Sequence, residues 1–185
     1  TTNGEVSGTY DEWAMRSFFG RMNLSWDSKY FLEANMRADG SSRFAPGRRW
    51  GYFPSVSAAW RISDEGFMRN ASVWLNQLKI RASYGSLGNN ATTSLYMYQS
   101  LYSTANYVLN GTVVGGLAQT VLANPDLTWE KTYMADVGVD FSLLGNRLAG
   151  SIDFYNKDTK GILISLPAPL EHGTSIVPDQ NAGEV

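Results

Sequence analysis

The sequence predicts an all-β fold: an antiparallel segment of a transmembrane β-barrel, about six strands with long extracellular loops. Three observations carry that expectation. Apolar and polar residues alternate with a period of two over successive stretches, as in strands with two different faces. The connections between these stretches alternate between short and long. Aromatic residues gather at the stretch ends, where a membrane barrel places its girdles.

The clearest stretch runs from Tyr30 to Trp60. In its first arm Tyr30, Leu32, Ala34, Met36 and Ala38 alternate with Glu33, Asn35, Arg37 and Asp39. In its second arm Tyr52, Val56, Ala58, Trp60 and Ile62 interleave with Ser55, Ser57 and Arg61. A Gly-, Ser- and Arg-rich connection, residues 40–49, joins them. Upstream, Phe18, Gly20, Met22, Leu24 and Trp26 oppose Arg21, Asn23 and Ser25, and Asp27-Ser28-Lys29 reads as a tight turn. Downstream of a linker at 63–76, Leu78, Ile80, Ala82 and Tyr84 alternate with Lys79, Arg81 and Ser83.

Residues 88–127 then read as one very long polar loop, a length that in a compact domain usually signals function. A fifth strand of opposite phase sets Trp129, Tyr133, Ala135, Val137, Val139 and Phe141 against Glu130, Thr132, Asp136 and Asp140. After a turn at Leu144-Gly145-Asn146, a sixth alternates Leu148, Gly150, Ile152 and Phe154 with Arg147, Ser151, Asp153 and Lys157. Beyond Lys160 the pattern blurs. This phase places even positions of the first four strands and of the sixth, and odd positions of the fifth, against lipid.

Composition narrows the function classes. The net charge of −2 gives no support for nucleic-acid binding. With no cysteine there is neither a disulfide framework nor a thiolate metal site, and the single histidine, His172, leaves no imidazole pair for a metal. No apolar run is long enough for a membrane helix, a test that strand-built barrels escape. The opening TTNGEVSG carries neither a basic nor an apolar leader region.

Several motifs carry a family resemblance. DGSSRF (Asp39 to Phe44), RWGYFPSVSAAWRIS (Arg49 to Ser63) and LKIRASYGSLGN (Leu78 to Asn89) resemble the SusC/RagA-type TonB-dependent transporters of the Bacteroidota outer membrane. NPDLTWEKT (Asn124 to Thr132), DFYNKDTKGIL (Asp153 to Leu163) and QNAGEV (Gln180 to Val185) fit the same family in the same order. The resemblance implies that these six or so strands are part of a larger barrel of about 22, a partial barrel domain over residues 1–185, without plug or signal peptide, in the cell outer membrane. It also implies import of glycans or peptides, a SusD-like lipoprotein lid and energy from a TonB complex reached through parts of a parent protein. The leading expectation is therefore a piece of a transporter's barrel wall in contact with outer-membrane lipid. The alternative is an adhesion or binding β-protein, barrel-borne or a β-sandwich, without transport. An outer-membrane hydrolase is a third class, but no nucleophile–His–acid set is present.

Among individual residues, Tyr96, Tyr98, Tyr102 and Tyr107 in the long loop are the candidates for substrate or partner contact, because tyrosine serves both sugar stacking and protein interfaces. Asp39, Arg37 and Arg43 read as loop staples. Glu130, Asp136, Asp140 and Asp153 read as solvated charge on polar strand faces rather than as catalytic carboxylates. Asn70, Asn90 and Asn110 match glycosylation acceptor patterns, read here as chance. No cofactor and no enzymatic activity are expected.

Overall fold

The computed structural model describes residues 10–92, 95–167 and 178–185; His172 lies outside them. The six expected stretches are strands: β1 (Met15–Trp26), β2 (Tyr30–Ser41), β3 (Trp50–Arg61), β4 (Leu75–Asn89), β7 (Glu130–Leu143) and β8 (Leu148–Ser165). Three further strands join them. β5 (Leu101–Leu109) and β6 (Thr112–Val121) form a separate hairpin, and β9 (Asp179–Glu184) adds to β8. The main sheet runs β1-β2-β3-β4-β7-β8-β9, antiparallel throughout.

The barrel expectation is corrected by this topology. The described residues form nine strands in two sheets rather than about six in one wall, and neither sheet closes on itself. β1 and β9 stand at opposite, unpaired edges of the seven-stranded sheet. Alternation reports only that a strand has two unlike faces, and an open antiparallel sheet satisfies it as well as a closed one. Closure is a property of the edges, on which period-two alternation is silent. Among the described residues no helix is long and apolar enough to cross a membrane.

The long polar loop is likewise corrected. Its first two residues finish β4, and its middle is the β5–β6 hairpin. That hairpin turns on Asn110 and Gly111, whose φ values of 51° and 76° suit a two-residue type I′ turn. β8 outruns its visible alternation because Gly161 (φ 64°) bulges the strand, shifting the register between Lys160 and Ile162.

Register sorts the side chains onto two faces. Met22, Ala34, Val56, Tyr84 and Ala135 line up on one face, while Glu33, Ser57, Ser83, Asp136 and Tyr155 line up on the other. On the apolar face Phe18 stacks on Trp50 and Tyr30 on Trp60, with centroids 5.9 and 6.3 Å apart. The connections also sort by end. The turns at 27–29 and 144–147 and two short 3₁₀ segments (Ile62–Asp64, Gly66–Ala71) lie at one end, the longer loops at the other.

The buried core sits at that longer-loop end. Phe44 and Leu127 are fully buried, with Phe53, Met97 and Trp129 nearly so. Trp129 packs against both Phe44 and Phe53 at 5.4 Å and donates its indole N–H to the Arg49 carbonyl at 2.9 Å. Glycine makes room for Phe53: a Cβ at Gly88 would fall inside the Phe53 ring. Asn181 fastens β9 to this core, donating to the carbonyls of Thr128 and Gly161, both at 2.9 Å, and accepting from the Thr128 N–H.

Candidate functional site

Because the core fills only the loop end, the middle of the polar face is left uncovered. A cleft of about 1150 Å³ lies there, and a second of about 500 Å³ continues it toward the short-turn end. Glu33, Ser57, Ser83 and Asp136 line both. The floor is made by β3 and β4, which offer small residues: Ser55, Ser57, Ser83 and Gly85. One wall, from β1 and β2, carries Phe19, Arg21, Asn35 and Arg37; the other, from β7 and β8, carries Met134, Asp136 and Tyr155.

Charge on this face is organised around two centres. Arg81 on β4 lies opposite Gly138 of β7, and the missing side chain there lets its guanidinium reach one strand further. Its Nε donates to Asp140 at 3.2 Å, Nη1 stands 3.6 Å from Asp136, and Nη2 donates to Asp153 on β8. The hydrogen bond to Asp140 pushes the Arg81 pKa up, burial opposes it, and the charges of Asp140, Asp153 and Asp136 add to the rise. Arg37 forms the second centre. Its Nε donates to Asp39 at 2.6 Å, which pushes its pKa up, and Nη2 lies 3.5 Å from Ser17 Oγ. Asp39 is itself 6% exposed, in a loop end also braced by Ser41, which accepts from Asn90 Nδ2 at 3.1 Å.

The carboxylates read from the sequence thus divide. Asp136, Asp140 and Asp153 converge on Arg81, whereas Glu130 lies at the loop end beside Asn89 and Leu163. Three carboxylates more than offset the charge of the one arginine they surround. Among the described residues no group of histidine, cysteine and carboxylate side chains is arranged to hold a metal ion.

The four tyrosines are not brought together. Tyr96, in a left-handed conformation (φ 62°), donates its hydroxyl to the Glu12 carbonyl at 2.6 Å. Tyr98 is half-buried beside it in sequence, outside any strand. Tyr102 and Tyr107 are five positions apart on β5 and so face opposite sides of the hairpin. The Tyr107 ring lies over Gly116, filling the space a side chain would take there. The sequence reading missed Phe19, an aromatic 84% exposed on the polar face. Its placement between Arg21 and the Phe18 of the opposite face was the available signal, since alternation makes residue 19 share the face of residue 21.

A family model described as "TonB dependent receptor-like, beta-barrel" matches residues 2–185. The chain belongs to this TonB-dependent receptor family. TonB-dependent receptor P26 of Formosa agariphila is 37% identical over 172 residues, 93% of this chain and 17% of the relative. TonB-dependent receptor SusC of Bacteroides thetaiotaomicron is 34% identical over 91% of this chain and 17% of its own length. The solved RagAB peptide importer in its closed-closed state superposes with a TM-score of 0.79 at 33% identity, over 93% of this chain and 18% of that one. The chain therefore spans about a sixth of the length of the curated relatives it matches.

Kinship with SusC and RagAB supports an outer-membrane location and agrees with a non-enzymatic role. The expected role as a transporter's barrel wall, and with it the multi-pass barrel, is overturned by the open two-sheet topology.

Proposed function

We propose that this chain is a binding domain of a TonB-dependent receptor-type protein at the outer membrane, holding a polar ligand against the polar face of its sheet. The observation that carries the proposal is the cleft of about 1150 Å³, which lies over small, hydroxyl-bearing floor residues between charged and aromatic walls. Binding, rather than transport by this chain alone, is what such a face can supply. The β5–β6 hairpin is the proposed contact for a SusD-like lipoprotein. It is uncharged and exposes Tyr102, Val108, Val113 and Leu117 on one side, a composition suited to an interface. Tyr107 stiffens that hairpin over Gly116, and Tyr96 ties the segment before it to the Glu12 carbonyl.

The absence of cysteine makes the cleft directly testable by single-cysteine labelling. Ser57→Cys and Val56→Cys place a thiol on opposite faces of β3. A panel of oligosaccharides and peptides should contain members that slow maleimide labelling at position 57 and leave position 56 unchanged. Equal protection at both positions, or none at either, refutes binding on the polar face.

A further inference from the structure

The wall formed by β1 and β2 has a more specific chemistry than the cleft as a whole. Phe19 pairs with Arg37 across the two strands, and Arg21 with Asn35, so the two arginines are diagonal neighbours about 7–8 Å apart at the backbone. Neither guanidinium is fully occupied. Asn35 Oδ1 accepts from Arg21 Nε at 2.8 Å, with Glu33 Oε1 3.8 Å away, and Asp39 accepts from Arg37 Nε at 2.6 Å. The terminal nitrogens of Arg21, and Nη1 of Arg37, make no hydrogen bond among the described residues and belong to side chains more than half exposed. The free nitrogens, both terminal ones of Arg21 and Nη1 of Arg37, therefore belong to side chains that line the same cleft.

Asp39 fixes one of those forks at a cost to the fold. Its Oδ1 is buried and has no hydrogen-bond partner, an arrangement that stability alone does not explain. Phe19, beside both forks, exposes 84% of its surface to water on a charged face. An open aromatic face beside two guanidinium groups suits a ring that offers one C–H face for stacking and bears a carboxylate. The floor narrows the choice further. Ser55, Ser57 and Ser83 make no side-chain hydrogen bond among the described residues, so their hydroxyls are free to exchange bonds with ligand hydroxyls.

We infer that Phe19, Arg21 and Arg37 form a subsite for an acidic oligosaccharide, with a sugar carboxylate on the arginine forks and a sugar face on Phe19. The inference deepens the binding reading above and rests on it. Isothermal titration of the full chain in detergent, with trigalacturonate as probe, maltotriose as its neutral counterpart and a free-acid tripeptide as a third arm, tests it. Trigalacturonate should bind at least about tenfold more tightly than maltotriose or the tripeptide. Arg37→Gln should weaken the acidic probe about tenfold, with Arg37→Lys between the two, and Phe19→Ala should weaken it several-fold. Because Phe19 is already exposed, its variant tests the subsite without disturbing the fold. Equal affinity for acidic and neutral probes, tighter tripeptide binding, or variants that bind like the parent would overturn the subsite. If neutral sugars protect the position-57 thiol while trigalacturonate does not bind, the acidic subsite fails and the polar-face reading stands. If nothing protects that thiol and trigalacturonate does not bind, both fail.

Discussion

The loop end and the middle of the polar face lie on the same side of one sheet, yet they are built on opposite principles. At the loop end Phe44, Phe53, Leu127 and Trp129 are buried, and glycines 51 and 88 are spent on making room for one phenylalanine ring. In the middle, Phe19, Arg21 and Arg37 stand open, and small residues leave a cleft where side chains could have filled space. The first region holds β3, β4, β7 and β9 in place through apolar contact and backbone-directed hydrogen bonds. The second leaves hydrogen-bonding capacity unused. That difference separates what folds the chain from what equips it to bind.

The sharpest break in the comparison comes from the buried region. Trp129→Ala removes the ring that joins Phe44 to Phe53 together with its bond to the Arg49 carbonyl. It should cost about 3–5 kcal/mol, read as a lower denaturation midpoint. A next-largest effect is expected from Gly88→Val, whose side chain meets the Phe53 ring and should cost about 1–3 kcal/mol through overpacking. If either variant melts like the parent, the loop-end cluster does not hold the sheet.

How much of this was legible in the sequence differs between the two regions. Strands β1 to β4, β7 and β8 were readable because each keeps its period of two for seven residues or more. The core was not, because Phe44 and Leu127 lie in loops without periodicity and Phe53 sits on the otherwise polar face. The β5–β6 hairpin announced itself in Asn110-Gly111, the strongest short hairpin signal, but that pair was read as part of a glycosylation pattern. Arg81 and its three aspartates could be assigned to polar faces, while their convergence depends on β4 pairing with β7 across the inserted hairpin, a long-range pairing that local pattern does not reveal. Open edges were equally invisible, which is why closure was expected where the sheet stays open.

Smaller effects should come from the charged groups. Arg81→Gln leaves Asp136, Asp140 and Asp153 facing one another without their shared cation. It should lower thermal stability less than Trp129→Ala does, and added salt should shrink the difference, since these groups are open to solvent. At the short-turn end, Glu65 accepts from the Tyr30 hydroxyl at 2.6 Å and the Trp60 indole at 3.1 Å. Those bonds, the Tyr30 one first, hold the Glu65 carboxyl below its ordinary value of 4.5. A depressed carboxyl contributes stability above that ordinary value and loses it as pH falls through the lower folded one. Glu65→Gln should therefore lower stability at neutral pH and flatten the fall below about pH 4.5, where parent and variant converge. A curve identical to the parent's would show that this cluster does not couple to folding.

The most direct test of binding on the polar face uses two neighbouring residues of β4. Ser83 lies on the cleft floor and Ala82 on the opposite face, so a tryptophan at each adds the same bulk to different sides of the sheet. With any panel member shown to protect the position-57 thiol as titrant, Ser83→Trp should weaken binding by about tenfold or more. Ala82→Trp should bind as the parent does. Loss of binding in Ala82→Trp, with Ser83→Trp unaffected, would place the ligand on the wrong face and contradict the polar-face reading.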